Sequence, residues 1–306
     1  LDIYHDIPDL PDSFQSAVTV GTFDGVHTGH GQILQTLTAK SKALKIPSVV
    51  VSFDPHPRSV LFPEEKDLAL LTTTEEKIEK LFRYGIEKVV IIPFTHAFST
   101  LHYSEFVRNI LISKLGAKVI VTGFNHHFGA SRQGSNEHLI KLAANLGFRV
   151  ETAIAKLIEN KPVSSSRIRK QLFLGEVEKA NLLLGYNYEI SGKVIHGSKT
   201  GRKLGYPTAN IRPDNPYKLI PADGIYAVSV YVDEKKYKGM MHIGARPSFN
   251  SEEKTIEVHI LDFLETIYGH DIRITFTKRL RDVENFETKE KLIEQLIIDE
   301  KQTRSI

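Results

Sequence analysis

Over residues 15 to about 185, short runs of consecutive apolar side chains alternate with stretches of helical period. Residues 17–20 form one such run, and the helix after it shows Ile33, Leu34 and Leu37 on one side with Lys40 and Lys42 outside. "IPSVVVSFDPHP" is a buried strand that ends at two prolines. "TTEEKIEKLFRYGIEKVVIIPF" is a capped helix, a stop at Gly85 and a further buried strand. "SEFVRNILISKLGAKVIVTGF" and "NEHLIKLAANLGFRVETA" repeat the unit, the first with Gly116 closing its helix. Continuous apolar strands alternating with helices predict a parallel sheet covered on both faces, with ligands bound beyond the carboxyl ends of its strands.

From about Tyr186 the period changes from helical to alternating. "YEISGKVIHG", "GIYAVSVYVD", "KKYKGMMHIG", "TIEVHILDF" and "DIRITFTKRL" are β-branched or aromatic and separated by turn residues. Ile225, Ala227 and Ser229 alternate with Tyr226, Val228 and Val230, and only "ETKEKLIEQLIIDEKQTR" looks helical. These features predict a small antiparallel barrel or sandwich with a terminal helix. The expected boundary follows Gly185, giving domains 1–185 and 186–306.

Composition narrows the class. Hydrophobic residues at 41% and charged residues at 25% are those of a globular protein, and no apolar run approaches a bilayer span. The first ten residues are acidic and contain Pro8, unlike a signal peptide. The sequence has no cysteine, which excludes disulfides and thiolate metal sites and makes a reducing cytoplasm the expected setting. Lys plus Arg exceed Asp plus Glu by 40 − 37 = 3, a mild excess spread along the chain. That balance suits phosphorylated small molecules and points to neither nucleic acid nor membrane partners. Self-association is open at this level.

The chemistry concentrates where strands end. "GTFDGVHTGH", residues 21–30, sits between the first strand and its helix, where unpaired N–H groups favour an anion. Gly29 between His27 and His30 permits close backbone approach to a triphosphate, and the imidazoles can donate to phosphoryl oxygens. Gly21, Phe23 and Asp24 belong to the same stretch. A metal site and a simple packing turn are the alternatives. "FDPHPR" and "GFNHHFGASRQG" also follow strands, which brings three loops to one rim, with Asn125 placed to hold sugar or phosphate. In "VSSSRIRK", Ser165 and Ser166 can cap or donate and Arg169 can join an anion site; an ordinary capped basic helix is the alternative. No Walker loop is present.

In the second half, "GRKLGYPTANI" places the oxygen donors Thr208 and Asn210 on one side of an extended segment. Magnesium on ATP phosphates prefers such ligands, and Gly201, Lys203 and Gly205 suit a loop that closes on phosphate. Glu257, a lone carboxylate in the strand "TIEVHIL", is a candidate general base or the polar face of an alternating strand.

The strings G-x-F-D-G-x-H-x-G-H, F-D-P-H-P-R, G-x-N-x-x-F-G and S-S-S-x-I-R, then P-T-A-N, G-x-R-P-S-F and E-x-H-x-L-D-F, occur in this order between residues 21 and 263. Together they resemble the bacterial bifunctional riboflavin kinase/FMN adenylyltransferase (FAD synthetase) family. The resemblance implies a nucleotidylyltransferase-type, Rossmann-like α/β domain followed by a six-stranded Greek-key flavokinase barrel with a C-terminal helix. It implies riboflavin, FMN and ATP as substrates and magnesium with ATP. His27 and His30 would stabilise the triphosphate during adenylyl transfer, and Asn125, Ser165, Ser166 and Arg169 would bind nucleotide. Gly21, Phe23, Asp24 and Gly29, with Gly201 and Lys203 in the barrel, would complete the nucleotide sites. Thr208 and Asn210 would hold magnesium-ATP, and Glu257 would accept the proton of the ribityl 5′-hydroxyl. The chain departs from the family in "FGASRQG", where Arg132 is displaced, and in Ser166, where threonine is common. An adenylate-forming enzyme of another substrate class and a flavin-binding regulator without activity are the rival functions.

Overall fold

The computed structural model describes residues 1–64, 68–124, 134–197, 200–245 and 254–306; the side chains of Thr200 and Lys203 also lie outside the description. The chain divides into two compact units, Leu1–Ser165 and Ser166–Ile306.

The first unit is built on a six-stranded sheet in the order β1-β4-β3-β2-β5-β6. Its strands are β1 (Asp2–Tyr4), β2 (Ser16–Val20), β3 (Ser48–Asp54), β4 (Lys88–Pro93), β5 (Ala117–Thr122) and β6 (Arg149–Thr152). Every pairing in it is parallel, as the uninterrupted apolar runs predict. Alternate residues of each strand feed two cores: Val18, Val49, Val51 and Val90 join one, and Ala17, Val50, Val89 and Ile91 the other. Burial on both faces explains why these strands show no polar alternation. A two-stranded pairing of β7 (Leu157–Ile158) with β8 (Lys161–Pro162) follows.

Helices Thr28–Leu44, Thr74–Arg83 and Asn136–Leu146 fall where the period places them. Thr73 and Glu76 form a capping box at the second, and Gly85 (φ 76°) and Gly147 (φ 71°) take the left-handed conformation after helix ends. Two features depart from the sequence reading. The acidic start supplies β1, which pairs with β4. The expected helix after residue 104 is a π-helix over Phe106–Ile112, preceded by a turn of α-helix at Tyr103–Glu105.

The second unit is a closed barrel in the order β10-β13-β12-β11-β14-β9. Its strands are β9 (Glu189–Ile195), β10 (Ala209–Pro213), β11 (Gly224–Val232), β12 (Lys235–Ala245), β13 (Lys254–Ile260) and β14 (Asp271–Arg281). All pairs are antiparallel, and the β10–β13 and β11–β14 neighbours are the crossovers of a Greek key. Tyr188, Tyr226, Val230, Met241, Val258, Ile274 and Phe276 are fully or almost fully buried in this unit. The barrel, rather than the sandwich, is therefore the outcome.

Helices Ser165–Phe173 and Val177–Leu184 precede the barrel and pack on it. Ala222 N donates to Leu172 O at 3.0 Å, and Asn181 Nδ2 to Phe276 O at 2.9 Å. The terminal helix Lys289–Ser305 is fastened by Asp299, 1% exposed, which accepts from Arg281 Nη2 at 2.8 Å and from Arg281 Nε at 3.1 Å.

Candidate active sites

In the first unit, β3, β2 and β5 lie side by side, so the segments after them emerge at one rim. The segment after β2 turns through left-handed backbone at Phe23 (φ 47°), Gly25 (φ 83°) and Val26 (φ 33°) before entering helix Thr28–Leu44. For Phe23 and Val26 this conformation is costly, and it persists only where neighbours hold it. Asp24, 3% exposed, supplies part of that hold. Its carboxylate accepts from Leu71 N, Thr72 N (both 3.0 Å) and Thr72 Oγ1 (3.3 Å), while Gly25 N donates to Thr72 Oγ1 at 3.0 Å.

His27 is the helix N-cap, and its Nδ1 accepts from His30 N at 3.2 Å. That bond makes Nδ1 the acceptor, so in the neutral ring Nε2 carries the proton and is a donor. The two rings stack with centroids 3.6 Å apart at 12°, and Phe23 meets His30 edge-on at 5.1 Å. His30 Nδ1 is buried without a hydrogen-bond partner among the described residues. Burial, with the neighbouring His27, holds its pKa well below the ordinary 6.5, so the ring is neutral in the fold.

Glycines shape the same corner. A Cβ on Gly29 would meet the His27 ring and Val163 O at 3.1 Å each, and one on Gly21 would meet the Phe23 ring at 3.1 Å. Ser165 Oγ donates to Asp24 O at 2.9 Å, tying a residue 141 positions away to the loop. Gly21, Phe23, Asp24, His27, Gly29, His30 and Ser165 thus form one constellation. Ser166 and Arg169 lie further along helix Ser165–Phe173, in the second unit. Asn125 lies outside the described residues.

The sequence reading did not single out Lys77, Ser52 or Thr72. Lys77 is 6% exposed and donates to Ser52 Oγ at 3.0 Å and Phe53 O at 3.3 Å; Ser52 Oγ donates to Thr22 O at 3.2 Å. A lysine in the helix pattern "TEEKIEKL" gives no local sign of burial, and only tertiary packing reveals it.

In the barrel, Thr208 Oγ1 donates to Glu257 Oε2 at 3.0 Å across 49 residues of sequence. The β10–β13 register sets Asn210 directly opposite Glu257, and β12–β13 sets His242 on its other side. Ile256, Val258 and Ile260 are buried, so Glu257 belongs to the opposite, outward face of β13. His242 has its pKa lowered by burial, with the Glu257 carboxylate opposing that shift.

The approach to this row is tightly built. A Cβ on Gly197 would sit 2.0 Å from Asn210 Nδ2, and one on Gly201 would sit 2.3 Å from Tyr206 O. His259 Nδ1 lies 2.7 Å from Pro207 O, and Tyr206 Oη donates to Glu300 Oε2 at 3.2 Å, fixing the residues just before Thr208. A cavity of about 270 Å³ adjoins, with Val194, Pro207, Thr208, Ala209, Val258 and Tyr268 among its walls. Thr208 therefore belongs both to the cavity wall and to the Glu257 pair. The Lys203 side chain lies outside the described residues.

The hard oxygen donors Thr208 and Asn210 suit magnesium shared with phosphate oxygens, which needs few protein ligands. Among the described residues, no group of three or more His, Cys, Asp or Glu is arranged to hold a metal.

A parallel sheet with a histidine-bearing loop at its rim and an antiparallel barrel with a hydroxyl–carboxylate pair define a two-module phosphate-transfer enzyme. The FAD synthetase family model matches residues 10–167 and the riboflavin kinase model residues 184–306. A bifunctional riboflavin kinase/FMN adenylyltransferase of Buchnera aphidicola (subsp. Schizaphis graminum) is 39% identical, over 93% of this chain and 91% of its own length. The Listeria monocytogenes protein of the same name is 38% identical, over 94% and 91%. The chain belongs to the bifunctional riboflavin kinase/FMN adenylyltransferase family. A solved structure from Streptococcus pneumoniae, named as a macrolide-efflux protein, superposes with a TM-score of 0.91 at 32% identity, covering 99% of this chain and 98% of that one. Among the described residues here, no helix is long and apolar enough to cross a membrane.

Proposed function

We propose that the two reactions of the family divide between the two sites: the barrel phosphorylates riboflavin to FMN, and the parallel-sheet module adenylylates FMN to FAD. Each step uses one ATP, and the second releases pyrophosphate. The observation that carries this reading is the 3.0 Å hydrogen bond between Thr208 and Glu257, which puts a phosphate-side donor beside a candidate base. The boundary between the activities falls at 185/186 on this reading, although helices 165–173 and 177–184 pack with the barrel.

In the barrel, Glu257 accepts the proton of the ribityl 5′-hydroxyl as the hydroxyl oxygen attacks the γ-phosphorus of ATP, whose bond to the β-phosphate oxygen breaks to release ADP. Thr208 and Asn210 would hold magnesium with the ATP phosphates, and Gly201 and Lys203 belong to the loop that would approach them. The metal supplies charge neutralisation of the phosphates when bound. Thr208 also orients Glu257 through their hydrogen bond.

In the first module, the FMN phosphate is the nucleophile and attacks the α-phosphorus of the second ATP, so the protein aligns reactants and stabilises charge. His27 donates through Nε2 to a phosphoryl oxygen, and His30 lies against it. Gly21, Phe23 and Gly29 let the loop close on the triphosphate, and Asp24 keeps it in shape. Asn125, Ser165, Ser166 and Arg169 complete the nucleotide contacts. The cysteine-free sequence suits work in a reducing cytoplasm on small-molecule substrates.

The test is to incubate the full chain with riboflavin, ATP and magnesium and to separate the flavins by chromatography. FMN followed by FAD is expected. FAD made from riboflavin by a folded Glu257→Gln variant at the wild-type rate would overturn the barrel assignment.

A further inference from the structure

Among the bonds that hold the strained loop over residues 21–27 are two fastenings that the proposed chemistry does not use directly. One is the Asp24 carboxylate on the backbone of residues 71–72. The other runs from Lys77 Nζ to Ser52 Oγ at 3.0 Å and from Ser52 Oγ to Thr22 O at 3.2 Å. Thr22 lies between Gly21 and Phe23, at the start of the segment that presents His27 and His30.

A lysine is an expensive way to fill this space. Burying an ammonium group is unfavourable, and an unbranched apolar side chain would pack there without that penalty. Burial lowers the Lys77 pKa against the pull of the carboxylates of Asp24, Asp54 and Glu75. What the amine supplies beyond volume is direction: it donates to Ser52 Oγ and to Phe53 O (3.3 Å), which sets the hydroxyl to donate onward to the loop.

We infer that Lys77 is a positioning residue for adenylyl transfer, acting through Ser52 on the Thr22 backbone to set the height of the phosphate loop. The inference rests on the reading that this loop serves FMN adenylylation. Helix Thr74–Arg83 carries Lys77, and the segment just before it carries the Asp24 contacts, so one stretch of chain, residues 71–77, grips the loop at both points. A misplacement on the order of 1 Å in such a loop costs about 10²-fold in rate.

The test measures FAD formation from supplied FMN by the full-length protein, with riboflavin phosphorylation in the same preparation as the control. Lys77→Met is expected to lower kcat for FAD formation by about 10- to 10²-fold, with KM for ATP moving by less than about threefold and the kinase rate unchanged. Ser52→Ala breaks the relay one step further on and should give a comparable loss. The double variant should then be no worse than the poorer single variant, because both remove one link. If Lys77→Met does not fold, Ser52→Ala decides, since it keeps the lysine and removes only the onward bond. Wild-type FAD formation by folded Lys77→Met or by Ser52→Ala overturns the inference, as do losses that multiply in the double variant. Failure of the wild-type protein to make any FAD overturns the functional reading instead.

Discussion

The two candidate sites are built in opposite ways. In the first unit, the candidate side chains ride on an irregular loop with Phe23, Gly25 and Val26 at positive φ, held in place by buried side chains from elsewhere. In the barrel, Asn210, Glu257 and His242 stand side by side on hydrogen-bonded strands, and the ladder itself fixes their spacing. A loop site can wrap a triphosphate closely but depends on its supports. A strand site is less adaptable and needs few.

Removing chemistry from the barrel should give the largest effect. Glu257→Gln keeps size and loses basicity, so FMN formation should fall by about 10²–10⁴-fold while FAD formation from supplied FMN is retained. Riboflavin phosphorylation at the normal rate would reduce Glu257 to a strand residue.

Next comes the barrel's structural anchor. Arg281 and Asp299 are 15% and 2% exposed at the side chain, so Asp299→Ala leaves a largely buried guanidinium unpaired. A loss of about 3–5 kcal/mol in unfolding free energy is expected from denaturant titration of the barrel. A change within error would show that the terminal helix docks by its apolar contacts alone.

For the loop, His27→Ala should raise the adenylyl-transfer barrier by about 3–4 kcal/mol, by analogy with loss of one oxyanion donor, and leave the kinase intact. Parallel decline of both activities with falling solubility would mark the histidines as packing groups, and sensitivity to chelators despite excess magnesium would mark a tightly held metal.

The smallest effect separates the two units by pH. His30 has a folded pKa well below its ordinary 6.5, so between those values the unfolded chain binds the proton and the folded chain does not. Stability is therefore complete above pH 6.5 and declines as pH falls below it, by at most about 1.4 kcal/mol per pH unit for this one group. His242 has the same sign, but its shift is opposed by Glu257. Hydrogen exchange at pH 7 and 5.5 should show the steeper acid loss in the first unit, and His30→Gln should flatten it.

Elements that announce themselves locally were readable in the sequence, because apolar runs, capping residues and stop glycines act over a few neighbours. Both architectures follow from the change of period near residue 186. Three kinds of information were not local. β1 has three residues and no period of its own; it exists because β4 offers an edge. The choice of barrel over sandwich is made by the β10–β13 and β9–β14 pairings, which join distant strands. At the sites, the motifs named His27, His30, Thr208 and Glu257 as candidates, but the packing that supports them was hidden. Asp24, named with the nucleotide site, accepts from backbone N–H groups of residues 71 and 72. Lys77 is buried, and nothing in its neighbours along the helix signals that.

Closure of the barrel leaves it without an exposed strand edge, whereas the parallel sheet ends in β1 and β6. An open edge invites another chain to extend the ladder, and proteins guard against it with short or charged border strands. Both defences are present here: β1 has three residues and β6 four, Asp2 is paired with Lys88, and Glu151 is paired with Lys40 at 2.5 Å. The sheet's borders are thus protected against unwanted recruitment by side-chain charge and brevity, a safeguard that the barrel obtains from topology alone.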